Sequence, residues 1–288
     1  MFYTSSIYSK TSFPGADTFS STVHLSMGGA GYLKPSSSNF NVNPCIFGGK
    51  IFSASIIKYP ASIVSQNIGI ALPTINNSFS SFSINHISYG TFDGYTEDSE
   101  PTGSYSSSDT RISGSYGVTF SKIPLRIGMG SNYYLLKYGD RRFKMLSLVI
   151  GLAISSKKQD ITLGFSIHDI AINLSENNVD LNPQFVISGS KKLKYLPLEL
   201  YIDLISKDQS DRALFFGGEF DLGSSFKFRL GSSTRKFNQN IEKGLFSSIV
   251  GASGLGFGYK SENIFFNYGV YMFGTGAMTQ GIELSISL

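Results

Sequence analysis

The chain has 288 residues, enough for one large domain or two ordinary ones. Only 15% of them are charged, against about 25% in soluble domains, while aromatics reach 14% with no Trp. A formal charge of +4, spread thinly, gives no basic face for nucleic acid, and a single cysteine excludes a disulfide framework or a Cys-based zinc site.

A mean hydropathy close to zero is what a barrel wall produces when lipid-facing and lumen-facing residues alternate. No apolar run approaches the about 20 residues of a spanning helix; the longest, MLSLVIGLAI at 145–154, is broken by Ser147 and Gly151. The first residues, MFYTSSIYSKTSFPG, lack the apolar stretch of a secretory signal, so an exported chain is expected to be a processed one or one without its leader.

Residues 1–46 are strand-poor and rich in Gly, Ser and Asn, and HLSMGGAGYLKPSSSNFNVNP (24–44) gathers Gly28, Gly29 and Gly31. A glycine cluster can cradle phosphate, but this one has no strand before it, no amphipathic helix after it and no Walker Lys-Ser/Thr. The lone Cys45 reads as a small packed residue.

From 47 to 288 a two-residue period takes over, and no segment shows a helical one. ITLGFSIHDI sets Ile161, Leu163, Phe165 and Ile167 against Thr162, Gly164, Ser166 and His168, and FKFRLG sets Phe226, Phe228 and Leu230 against Lys227, Arg229 and Gly231. Turn signals divide the region into about fourteen strands, among them 79–92, 106–120, 143–156 and 245–259. Alternate connections are short, such as SKIP at 121–124 and YKSEN at 259–263, while the intervening set holds the long ones, 93–105, 174–183 and 236–244. Short turns at one end and longer loops at the other belong to outer-membrane barrels. The expected fold is therefore all-β: a transmembrane antiparallel barrel of about 14 strands, with residues 1–46 folded inward as a plug. A soluble β-sandwich would need shorter strands and a composition shift between halves.

Three stretches could carry chemistry. His86 and Ser88 stand two apart on a strand face, as in an outer-membrane lipid hydrolase, but no third orienting residue can be named. The glycines of GLGFGYK (254–260) lie in a strand pattern and fit curvature or wall packing. In DGYTEDSEPTGSYSSSD (93–109) the carboxylates of Asp93, Glu97, Asp98, Glu100 and Asp109 could collect Ca²⁺, without EF-hand spacing. The flanking Phe92, Tyr95 and Tyr105 point instead to protein docking on an external loop. No catalytic residue, metal or cofactor is expected.

These residues carry a resemblance. Gly28-Gly29-Ala30-Gly31, followed some twelve residues later by Asn43-Pro44-Cys45, resembles the GGAG…NPA marker of the PorV/PorQ family of Bacteroidota outer-membrane proteins. Tyr89-Gly90, Phe92-Asp93-Gly94, Pro101-Thr102-Gly103 and Ser108-Asp109 are similar to the PorQ branch, as is the last hairpin, 265–287. The chain departs from the pattern in having Cys45 for Ala and no acidic residue in YLKPSSSN. The resemblance implies a FadL-like fourteen-strand barrel in the outer membrane of a Gram-negative bacterium, its loops facing the exterior. It also implies a non-enzymatic role in the type IX secretion attachment complex, with outer-membrane lipid and lipopolysaccharide and a PorZ-like surface protein as partners. On this reading Phe92, Asp93, Tyr95 and Glu97 bind the partner, and Gly28, Gly29, Gly31, Asn43 and Pro44 seal or line the lumen. A FadL-type channel for hydrophobic small molecules is the alternative, expected to show an apolar interior pocket and a gap or kink in the wall.

Overall fold

The computed structural model describes residues 18–19, 21–36, 42–75, 77–96, 98–156, 158–173, 181–207, 211–238, 251–273 and 276–288. After a short helix α1 (Thr22–Ser26) come β1 (Ile51–Lys58), β2 (Val64–Pro73), β3 (Ser78–Tyr95), β4 (Pro101–Thr119), β5 (Leu125–Tyr138), β6 (Arg141–Ser156) and β7 (Ile161–Asn173). The second half adds β8 (Gln184–Lys192), β9 (Leu198–Ser206), β10 (Arg212–Leu222), β11 (Phe226–Ser233), β12 (Ser253–Ser261), β13 (Ile264–Met272) and β14 (Met278–Ser287). Each strand pairs antiparallel with its sequence neighbours, and β1 closes on β14 with Ile51 opposite Ser287. The fold is a closed fourteen-strand antiparallel barrel.

The alternation read from the sequence is the wall's two faces. Outward residues are apolar and exposed, as with Ile68 on β2, Ile84 on β3, Met129 on β5, Ile202 on β9 and Ile282 on β14. Inward residues are polar and buried, as with Asn67, Asn85, Asn132, Asp203 and Glu283 at matching positions. An apolar exterior around a polar interior is the inverse of a soluble domain and needs lipid around it. Closure leaves no sheet edge, so every strand satisfies its backbone against neighbours in a medium that offers no hydrogen bonds.

At the end that carries β1's start and β14's finish, the six connections (74–77, 120–124, 157–160, 193–197, 223–225, 262–263) span two to five residues each. The opposite end holds the longest ones, 174–183 and 234–252.

Two expectations need correction. The segment 93–105 is not a long loop: β3 runs on to Tyr95 and β4 starts at Pro101, so Phe92 faces Tyr105 and Asp93 faces Ser104 across a continuing ladder. Gly, Ser, Pro and Asp read as loop, yet beyond the lipid both strand faces meet water, and a polar hairpin suffices. Besides the strands, α1 forms one helical turn and Thr234–Asn238 a 3-10 turn. The expected strand 245–259 starts later, at Ser253, and its part before residue 251 lies outside the described residues.

Two bulges change which side chains face inward. Between Leu148/Ile170 and Ile150/Ile167 the register shifts, so His168 and Asp169 both turn inward, Asp169 with a φ of 57°. Between Ser88/Ser108 and Gly90/Ser107, Tyr89 is the extra residue and Gly90 takes a φ of 94°. Beyond that bulge the faces swap.

Candidate functional site

Residues 21–36 and 42–46 lie against the inward faces of the strands. Ser21 caps α1, its Oγ accepting from the His24 N–H at 3.1 Å, and the chain then turns through Gly28, Gly29 and Gly31 at φ 66°, 94° and 106°. A helix of five residues has little stability of its own, so its shape is set by the wall around it.

The wall makes room with glycines. A Cβ on Gly231 would collide with the Met27 backbone, one on Gly254 with the Leu25 carbonyl, and one on Gly151 with the Asn43 side chain. On Gly128 a Cβ would sit 2.5 Å from the Cys45 nitrogen, and on Gly269 2.9 Å from the Thr22 carbonyl. These glycines stand on β5, β6, β11, β12 and β13, on well-separated parts of the circumference. Gly254 and Gly256 of GLGFGYK thus pack the wall against the N-terminal segment, a partner their local sequence could not name, while Gly258 makes room for the Asn267 and Arg229 side chains.

Hydrogen bonds fix the same approach. The Gly31 N–H donates to Asp203 Oδ2 on β9 at 2.6 Å, and the Thr22 N–H donates to Glu283 Oε2 on β14 at 3.2 Å. Asn43, 1% exposed, donates through Nδ2 to the Leu152 carbonyl of β6 at 3.0 Å and the Phe165 carbonyl of β7 at 3.1 Å. Its Oδ1 accepts from the Cys45 N–H at 3.2 Å, which also fixes the turn at the buried Pro44. Gln184 on β8 donates to the Tyr32 hydroxyl at 2.9 Å.

A charged relay missed by the sequence reading joins the two ends of the 22–34 stretch. Lys34 Nζ meets Glu219 Oε1 at 2.9 Å; Arg229 Nε donates to Glu219 Oε2 at 2.6 Å and its Nη1 to Asn267 Oδ1 at 2.9 Å. Asn267 Nδ2 then reaches Glu283, which accepts from Thr22. Lys227 adds a second cation on Glu219 at 2.6 Å. The sequence signal was present as inward-parity charges on β10, β11 and β14, but nothing in the chain pairs them with a lysine about 185 residues earlier.

Burial tunes the groups on the segment. His24 Nε2 donates to the Gly29 carbonyl at 2.5 Å, and its imidazole is pushed down to about 4 by burial, against the opposing pull of that hydrogen bond. Burial pushes the Cys45 thiol up to about 12. Above α1, a cavity of about 170 Å³ is lined by Phe19, Tyr59, Phe215 and Tyr271 together with Lys207 and Arg235. Burial, aided by Arg235, lowers the Lys207 ammonium to about 8.

Of the residues expected to bind a partner, Phe92 and Asp93 stand on opposite faces of β3. Phe92 turns to the inward side above the bulge and stacks on Tyr105 at 5.5 Å between ring centroids; Tyr105 meets Tyr138 at 5.8 Å. Asp93, next along the strand, points to the opposite face. Tyr95 is exposed at the hairpin's end, and Glu97 lies outside the described residues. The carboxylates of 93–109 also separate, because Asp109 is buried inside the barrel.

His86 and Ser88 are not joined by any bond among the described residues. His86 Nδ1 meets Thr110 Oγ1 at 2.8 Å, and Ser88 Oγ accepts from the Gly90 N–H at 3.4 Å.

No family model matches the chain, and no curated protein matches it. Among solved structures it is similar to a Pseudomonas aeruginosa FadL homologue, with 11% identity over 92% of this chain and 97% of that one and a TM-score of 0.53. A mutant of the TodX monoaromatic hydrocarbon channel is similar too, with 9% identity, 92% and 96% coverage and a TM-score of 0.52. At these identities the likeness is one of fold. Fold and wall together define an outer-membrane β-barrel with a FadL-like architecture.

Proposed function

We propose that this barrel is a closed, non-enzymatic anchor of the type IX secretion attachment complex, holding a surface partner that handles secreted cargo. The observation that supports the reading is the interior: residues 21–36 and 42–46 lie against the inward strand faces and are bonded to β6, β7, β8, β9, β10 and β14. A segment tied to opposite walls suits a seal, and among the described residues every strand pairs with both neighbours. The β3–β4 hairpin extends past the barrel and presents the Phe92–Tyr105–Tyr138 rings, a surface of the kind that interfaces favour. The Gly28–Gly31 and Asn43-Pro44 resemblance supplies the secretion-system context.

The test is permeability. Liposomes carrying the purified full chain should pass neither ions nor small hydrophobic solutes above protein-free liposomes. Saturable flux of a hydrophobic solute through the wild type would overturn the sealed-anchor reading.

One observation favours a second reading, a FadL-type channel for hydrophobic small molecules. The aromatic cavity above α1, at about 170 Å³, is large enough for a benzene-sized body, and Lys207 and Arg235 would suit an anionic group on it. The permeability experiment separates the two readings.

A further inference from the structure

The outer wall of the β5–β6 hairpin carries a cluster of cations at a defined depth, unpaired among the described residues. Its outward residues from Ile127 to Leu135 on β5 and from Leu146 to Ile154 on β6 are apolar apart from Ser131. Nine residues rise roughly 30 Å along a strand, and a tilt of about 40° reduces this to roughly 23 Å, close to the apolar height of an outer-membrane barrel. The next outward residues toward the long-loop end are Lys137, Arg142 and Lys144, all exposed. They therefore stand at headgroup level, just beyond the lipid tails.

Their arrangement works against the fold alone. Lys137 sits directly opposite Arg142, and Lys144 opposite Leu135, one step along the same face. Directly opposed like charges destabilise a strand pair. Asp140 is the hairpin's one carboxylate, and none of the three cations forms an ion pair among the described residues. On the neighbouring strand the outward residues at this level are Ser108 and Thr110, hydrogen-bonding groups without charge. A multivalent anion between the cations would turn the repulsion into bridging.

We propose that Lys137, Arg142 and Lys144 form a binding site on the barrel's outer wall for the phosphates of lipid A. The depth excludes a soluble partner reaching the whole cluster, and a bisphosphorylated headgroup supplies two anions on one rigid body. The proposal rests on the membrane embedding and on the long-loop end facing the exterior. It is independent of the surface partner and of whether the lumen conducts.

The experiment is a binding titration of the full chain in detergent with bisphosphorylated lipid A, read by retained lipid in native mass spectrometry. Each cation near an anionic surface is worth about five-fold in affinity, so the Lys137→Gln/Arg142→Gln/Lys144→Gln variant should bind on the order of 100-fold more weakly. Arg142→Gln alone should lose about five-fold, and Lys58→Gln, elsewhere on the wall, should stay within two-fold. Dephosphorylated lipid A should bind like the triple variant, and millimolar inorganic phosphate should not displace lipid A. Equal lipid A affinity in wild type and triple variant would overturn the site. A preference for phosphatidylglycerol over lipid A would overturn the lipid assignment, since it would place the cluster at the inner leaflet.

Discussion

Gly231 has no room for a side chain, and that makes the chain's single thiol a reporter. Cys45 is fully buried on the segment that Gly231 and Gly128 accommodate, with its thiol pushed up to about 12. In the folded wild type it should resist maleimide at pH 7, because both exposure and thiolate are lacking. Gly231→Val, which forces Met27 off the wall, should speed alkylation by at least ten-fold while the barrel keeps its β-sheet circular dichroism. Unchanged alkylation would mean that the segment is not held by this contact. His24 gives a pH-dependent check. Its folded value, about 4, lies below that of a free imidazole, so the unseated segment takes up the proton first. Seating should be at full strength above about pH 6.5 and weaken as pH falls toward 4, read as rising amide exchange over residues 22–34. His24→Asn should flatten that profile. The glycine cluster was legible in the sequence as tight packing; its bonding partners were not, because Asp203 and Glu283 lie at least 170 residues away along the chain.

At the scale of elements, the sequence specified the strands best where lipid imposes strict alternation. β6 follows the expected span 143–156 closely, since a one-residue slip would turn every apolar side chain inward. Legibility fails at the rim, where lipid no longer selects between faces. There β3 and β4 continue as an 18- and a 19-residue strand through a stretch whose composition reads as loop. The Tyr89 bulge is equally hidden, and it turns Phe92 to the inward side, against Tyr105. Because the hairpin projects beyond the wall, replacing 92–105 by a two-residue turn should leave the barrel's melting temperature in detergent within a few degrees. The same change should abolish capture of a surface partner. A large drop in melting temperature would instead assign the hairpin a structural role.

Across the whole molecule, the relay from Lys34 through Glu219, Arg229, Asn267 and Glu283 back to Thr22 makes the segment and four strands one unit. Removing one partner strands buried charge, which costs more than the pair contributes. Glu219→Gln leaves three cations, Lys34, Lys227 and Arg229, around a neutral amide. It should lower the melting temperature and free the segment for protease cleavage, whereas Asp93→Asn, on the exposed hairpin, should do neither. The architecture as a whole was legible from alternation and turn lengths, which are local properties. The interior depended on pairings across the lumen, which are not. The most direct measurement is affinity purification of the tagged full chain from detergent-solubilised outer membrane, with the bound proteins identified by mass spectrometry. The anchor account predicts recovery of a secretion-system surface protein that disappears when residues 92–105 are replaced. Recovery of no such protein from membranes that contain the secretion system would contradict it.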